Sequence, residues 1–312
     1  MSLKKRGHLA SIVSAGFMNS THISRGHLAM LLFSFLIAGS FSFGTRIANL
    51  MEPTAMMALR FAIAGGVVGT LAALGPGIKR RYFDAPWRYL VLGGLFAIYF
   101  GLMFEGLKTA SPVSASAVFT LTPIMSAFFG YFLLRQITTL WMSLALAIGA
   151  AGALWVIFRG DIAALLAFDI GRGEAIFFVG CIAHALYTPL VRKLHMGEPI
   201  VVFTFGMIVA GFIFLVILGA SDLAQTDWGA LPWYFWGGLF YLAICASSIT
   251  FFLVQYATMH LPSAKVMAYT YLTPSWVIMW EIVLTGTVPP ALMLLGVAAT
   301  VAALVMLLRD ET

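Results

Sequence analysis

Apolar residues run along this chain in ten blocks, near 27–45, 53–74, 86–107, 112–134, 138–158, 173–192, 199–219, 231–258, 263–285 and 288–308. Each comes close to the about 20 residues that a helix needs to cross a hydrocarbon core. Short polar stretches separate them, and Gly75-Pro76-Gly77 and Pro289-Pro290 mark two of the turns. No stretch between blocks is long enough to fold as a soluble domain. Residues 1–26 are polar and basic, with Lys4, Lys5 and Arg6 ahead of a weak apolar patch from Leu9 to Met18. Ser11, Ser14 and Gly16 interrupt that patch, so the segment reads as a frayed or interfacial cytoplasmic arm rather than a signal peptide.

The fourth and ninth blocks differ from the rest because a Thr-Pro pair interrupts each. Leu121-Thr122-Pro123 returns as Leu272-Thr273-Pro274, and Pro112 returns as Pro262. A proline inside a span removes one backbone hydrogen bond and loosens the helix. The echo extends further. Arg46-x5-Glu52-Pro53 returns as Arg192-x5-Glu198-Pro199, Ala64-Gly65 as Ala210-Gly211, and Pro86-Trp87 as Pro232-Trp233, all at a shift of 146. Each half therefore holds five spans, at 27–158 and 173–308, joined by an outer linker over 159–172 and followed by a short tail, 309–312. Five is odd, so the second half must insert upside down relative to the first. Spans broken alike in two inverted halves predict a solute site near the midplane, between the halves.

Composition agrees with the pattern. The 312 residues are 61% hydrophobic and 10% charged, against about 25% charged in soluble domains. The net charge of +6 does not signal nucleic acid, because the basic residues lie in short loops and read as topology signals. With the N-terminus inside, thirteen lysines and arginines fall on the inner side and four on the outer. Both termini are therefore expected in the cytoplasm. Cys181 and Cys245 lie inside apolar blocks and read as small core side chains rather than a disulfide or a metal site.

The ten spans in two halves, Ala58-Leu59-Arg60-Phe61 in the second span, and the small-residue-Pro starts of the fourth and ninth spans resemble the drug/metabolite transporter superfamily. Each half is similar to its EamA-type domain, and within the superfamily the chain looks most like the YddG-type exporters of amino acids. The resemblance implies an all-α integral membrane fold of two inverted five-helix repeats. It also implies export of neutral and aromatic amino acids. Many members end the fourth and ninth spans with a Gly-Glu pair. Here Leu134-Arg135 and Thr285-Gly286 stand there, so no role for that glutamate carries over.

Ionisable groups at membrane depth are costly and need a reason. Arg60 lies about seven residues into its span, and either attracts a solute carboxylate or bonds backbone carbonyls. In the second copy Gly206 stands in its place. Glu105 and Lys108, at i and i+3, can pair with each other and act as a gate or as an interfacial ion pair. Glu281 lies past Pro274 with no partner apparent in sequence, and is a candidate for a gate. His184, with Tyr187 one turn on, is either a solute or proton contact or a satisfied helix-to-helix bond. Lys265, just after Pro262, either meets a carboxylate from inside or reaches lipid headgroups. Tyr99, Tyr256, Tyr269, Tyr271 and Trp276 bring rings and hydroxyls next to the breaks, and Tyr269, Trp276 and Trp280 fall on one helical stripe. Such rings suit aromatic or cationic solutes. Pro112, Pro123, Pro262 and Pro274 are the candidate hinges.

Nothing in the sequence signals catalysis, a cofactor, a metal site or a nucleotide-binding domain. The expectation is a secondary transporter of small metabolites in the inner membrane, working by alternating access. Its partners are the solute and membrane lipid. A monomer suffices for this architecture, and the sequence leaves the oligomeric state open.

Overall fold

The computed structural model describes residues 3–167 and 170–309, with side chains from residue 23 onward. Fourteen helices and short turns build all of it. The first half holds α1 (Leu3–Ile47), α2 (Pro53–Leu74), α3 (Trp87–Leu107), α4 (Pro112–Phe119), α5 (Thr122–Leu134) and α6 (Leu140–Ile157). A short α7 (Ile162–Ala167) lies in the linker, its first turn held by Asp161, whose carboxylate accepts from the Ala163 and Ala164 N–H groups. The second half holds α8 (Arg172–Leu194), α9 (Ile200–Gln225), α10 (Trp233–Ala243), α11 (Thr250–His260), α12 (Ser263–Ala268), α13 (Thr273–Thr285) and α14 (Ala291–Arg309). The basic arm, read as frayed or interfacial, is helical from Leu3 and joins the first span without a break.

The ends have local causes. Pro53 and Pro112 sit in the first turns of α2 and α4, where a missing N–H costs nothing. Ser111 and Thr139 cap α4 and α6 by accepting from the N–H groups of Ser114 and Met142. Gly286 ends α13 in the left-handed conformation, at φ 70°.

Among the described residues nine stretches are long and apolar enough to cross a membrane, α4 with α5 and α10 with α11 each counting as one. The tenth crossing is α12 and α13, interrupted by a turn of 3-10 helix over Tyr269–Leu272. The chain is thus an all-α membrane protein of two five-span halves. Its packing is two-fold. The third span lies on the sixth as the eighth lies on the first; the fourth lies on the sixth as the ninth lies on the first. The second meets the seventh, the fourth the ninth, and the fifth the tenth. The halves interlock rather than stand side by side.

Small residues permit the closest of these crossings. A methyl group on Gly152 of α6 would lie 2.7 Å from the Gly296 carbonyl of α14, and one on Gly296 would lie 2.6 Å from the Gly152 carbonyl. Only glycine fits at either position.

Candidate functional site

The site begins with the backbone. Pro123 has no N–H to give to the Phe119 carbonyl, and that carbonyl instead accepts from the Thr122 hydroxyl at 2.7 Å. The helix is broken between α4 and α5. In the second copy the carbonyl that Pro274 leaves free belongs to Thr270, and it accepts from the Thr273 N–H. The two breaks touch: the hydroxyls of Thr122 and Thr270 lie 3.3 Å apart. Behind them, the Tyr271 carbonyl accepts from Thr300 of α14 at 3.0 Å, so a bracing helix holds the second break. Pro123 and Pro274 thus sit at real interruptions. Pro112 and Pro262 stand instead at helix starts, where proline is compatible with an unbroken span.

Two further irregularities join them. Pro189 lies inside α8 and frees the Ala185 carbonyl, which accepts from Ser126 of α5 at 3.1 Å. Between α10 and α11 the chain makes a π-helical turn over Ile244–Ile249. There Ser247 and Ser248 bend back to donate to Leu242 and Ala243, each at 2.9 Å.

Arg60 is wholly buried and bonds to that π turn. Its Nε donates to the Ser247 hydroxyl at 2.6 Å and Nη2 to the Ala246 carbonyl at 2.7 Å. Its guanidinium lies 4.0 Å from the centre of the Phe100 ring. From Phe100 a run of rings leads on: Tyr99 at 4.6 Å, then His184 at 4.5 Å from Tyr99. Phe119, at the edge of the first break, lies 5.2 Å from His184, and Phe96 stacks on Phe251 at 4.5 Å. The Tyr187 ring lies 4.0 Å from Phe96, and its hydroxyl accepts from Gln255, whose carbonyl oxygen in turn accepts from Thr204 at 2.6 Å.

This aromatic cluster is only partly wired. The Tyr99 hydroxyl and Nδ1 of His184 are buried with no hydrogen-bond partner among the described residues; the Tyr271 hydroxyl is likewise unpaired there but lies away from the cluster, against Gly149 of α6. Native proteins pair the great majority of such groups, so two side by side make this cluster the candidate solute site. The helix-to-helix bond considered for His184 is not made through Nδ1.

The other candidates lie elsewhere. Tyr269, Trp276 and Trp280 do share one surface, and that surface faces α1. The Tyr269 hydroxyl lies 3.0 Å from Nδ1 of His27, Trp276 donates to Ser34 at 3.1 Å, and Trp280 packs on Phe35 and Phe43. Glu281 finds its partner there, Arg46, at 3.1 Å. Lys265 is buried on α12, which packs on α5. Tyr256 is half-buried on α11, with its ring against Phe252 and His260 and apart from the cluster.

Ion pairs hold both ends of α3. Lys108, just past its C-terminus, reaches Glu105 and Glu52, each at 3.0 Å. At the other end Arg88 meets Glu198 at 2.7 Å, deeply buried, and the Tyr89 hydroxyl donates to the same carboxylate. Burial alone would raise the Glu198 carboxyl. Hydrogen bonds from its own backbone, from Arg88 and from the Met196 N–H, together with the Arg88 charge, hold it below the usual carboxylate range. Glu52 and Glu198 are the repeated Glu-Pro residues, so both copies of that motif clasp α3. Each clasp borders a polar hollow, about 600 Å³ at the Glu52 end and about 280 Å³ at the Glu198 end.

The sequence reading missed Gln255, Ser247, Pro189 and the Arg88–Glu198 pair. Pro189 and the Ser247-Ser248 pair were visible as irregularities inside apolar blocks. Arg88 stands at the inner start of the third block and Glu198 just before the seventh, where each reads as an interfacial charge, although the folded chain buries both.

Two interlocked five-span repeats, broken at the middle around a half-wired aromatic cluster, define a membrane transporter. The sequence pattern of the EamA-like transporter family matches residues 24–158 and 171–309, once in each half. The chain belongs to that family, within the drug/metabolite transporter superfamily, and is a secondary transporter of small metabolites rather than an enzyme. It is 25% identical over 252 residues to the uncharacterized transporter YyaM of Bacillus subtilis (strain 168), covering 80% of this chain and 82% of that one. It is 25% identical over 262 residues to the uncharacterized transporter YcxC of the same organism, covering 79% and 81%. A solved crystal structure shares the fold with a TM-score of 0.70 at 22% identity, covering 94% of this chain and 99% of the other.

Proposed function

We propose that this transporter exports amino acids, aromatic and other neutral ones included, across the inner membrane by alternating access, with both termini cytoplasmic. The observation that carries the reading is the meeting of the two broken spans at Thr122 and Thr270, with the aromatic cluster reaching the first break through Phe119. Broken helices at a repeat interface put backbone dipoles and loosened segments beside a solute. Tyr99, His184 and Tyr187 offer polar contacts there, and Phe96, Phe100 and Phe251 offer flat apolar walls. The clasps at the two ends of α3, each beside a polar hollow, are the gates. The Lys108 clasp and the Arg46–Glu281 pair would open to one side, and the Arg88–Glu198 clasp to the other.

Proteoliposomes preloaded with single amino acids test this. Saturable release of aromatic and neutral amino acids, with counterflow on adding the same solute outside, is the expected result. Release that does not saturate would indicate a channel. Release of lipophilic aromatic cations, with amino acids retained, would replace amino acids by drug-like compounds as the cargo.

A further inference from the structure

The charge balance of the aromatic cluster bears on the class of solute; the inference rests on reading that cluster as the solute site and departs from the amino acid cargo proposed above. Arg60 is buried among neutral groups. Its acceptors are a hydroxyl, a carbonyl and, at 3.9 Å, the Met57 sulfur, with the Phe100 ring against its face. The four ion pairs among the described residues use Arg46, Arg88 and Lys108 as cations, and Arg60 belongs to none of them. A cation taken out of water without a counter-charge is costly.

Among the described residues the buried carboxylates are committed elsewhere. Glu174 accepts from the Ser114 hydroxyl at 2.7 Å, and Glu198 is held by Arg88. The cluster itself holds donors. The Tyr187 hydroxyl oxygen already accepts from Gln255, which leaves its proton to give. The Tyr99 hydroxyl has no partner among the described residues. A guanidinium carries five N–H groups, and those of Arg60 with named acceptors leave others over.

We infer that this site takes its solute as a net anion: a small carboxylic acid with a flat apolar body, in preference to the zwitterion or the amine of the same shape. The carboxylate bonds the planar fork of Arg60, and the apolar body lies among Phe96, Phe100, Phe119 and Phe251. A zwitterion gains the same carboxylate contact. Its ammonium, however, is desolvated near a fixed positive charge with only ring faces, hydroxyls and the His184 ring to meet it. An amine meets the repulsion alone. The bound carboxylate takes the remaining N–H groups and shares the guanidinium charge with Ser247 and Ala246, so it loosens the hold of α2 on the π turn of the eighth span. Binding is thereby linked to movement.

The test uses the full-length protein in lipid nanodiscs and three probes that share one ring: 3-phenylpropionate, phenylalanine and phenethylamine. Calorimetric titration should rank them in that order, with the acid about tenfold tighter than the amine or more. Ser247→Ala removes the internal acceptor on Nε and should tighten the acid several-fold without changing the amine. Arg60→Lys keeps the charge but loses the fork, and should weaken the acid about tenfold. Should Ser247→Ala or Arg60→Lys fail to fold, the wild-type ranking decides. Phenylalanine binding tightest would overturn the anion preference and leave the amino acid reading standing. Equal binding of all three, or the amine tightest, would overturn the preference as well. Binding of none would overturn both the inference and the cluster as the solute site.

Discussion

Arg88 and Glu198 show how much one pair can hold. Removing one partner of a buried ion pair leaves the other charge stranded, at a cost of roughly 3–5 kcal/mol. Glu198→Ala should therefore lower the melting temperature strongly, whereas Glu52→Ala should barely change it, because Glu52 is largely exposed and such pairs contribute about 1 kcal/mol or less. The two clasps come from one repeated motif, but the Glu198 carboxylate is buried and accepts further bonds from Tyr89 and Met196, while Lys108 keeps Glu105 when Glu52 is lost. A pH dependence follows too. The Glu198 carboxyl is held low in the folded protein, so the stability it contributes is full above the ordinary carboxylate range. It is lost as the pH falls through that range and on past the folded value. Melting curves should be flat from neutral pH to about pH 5 and fall below it, and Glu198→Gln should flatten the acid limb. A limb of unchanged depth in Glu198→Gln would assign the acid sensitivity to other groups. At this scale the sequence revealed residue types and not partners. Glu281 looked solitary until α1 brought Arg46 beside it across 235 positions.

The broken spans belong to the scale of the element. Proline inside a helix costs about 3 kcal/mol in a soluble host, yet here the stranded carbonyls of Phe119 and Ala185 are taken by Thr122 and Ser126. Pro123→Ala alone should slow transport while leaving the folded yield near that of the wild type, because the new N–H must compete with the Thr122 hydroxyl. Thr122→Val should do the opposite. It strands the Phe119 carbonyl and removes the contact with Thr270, for a loss of about 1–3 kcal/mol. Chemical denaturation and transport per folded molecule separate these outcomes. Equal transport in both variants would make the fourth-span break structural only. The breaks at Pro123 and Pro274 were legible because proline acts through local covalent chemistry. The geometry of the π turn was not, because its Ser247 hydroxyl and Ala246 carbonyl accept from Arg60, 187 and 186 positions away.

For the whole molecule, the interlocking of the halves carries two consequences. The fifth and tenth spans brace the bundle through the Gly152–Gly296 crossing, so Gly152→Leu should force α6 from α14 and reduce folded protein, while Gly237→Leu, with open space around it, should be tolerated. Yield of monodisperse protein after detergent extraction checks the pair. Alternation of the spans also predicts that cysteine at Asp161 or Asp222 reacts with an impermeant thiol reagent from outside intact cells, and cysteine at Arg81 only after the membrane is opened. Reaction of Arg81→Cys from outside would reverse the assigned orientation.

What the sequence determined by itself was everything that depends on solvent and on nearest neighbours along the chain. Spans long enough to cross a bilayer follow from apolar length, the two halves from repeated dipeptides, and the helix breaks from proline. The tertiary structure decided what depends on distant groups meeting. It turned the Tyr269–Trp276–Trp280 stripe toward α1, made Arg60 the partner of a π turn, and clasped α3 at both ends with the two copies of one Glu-Pro motif. The physical reason is range. Hydrophobic transfer acts on each block independently, while a hydrogen bond or an ion pair at membrane depth has a meaning only once the helices that carry its two ends have packed.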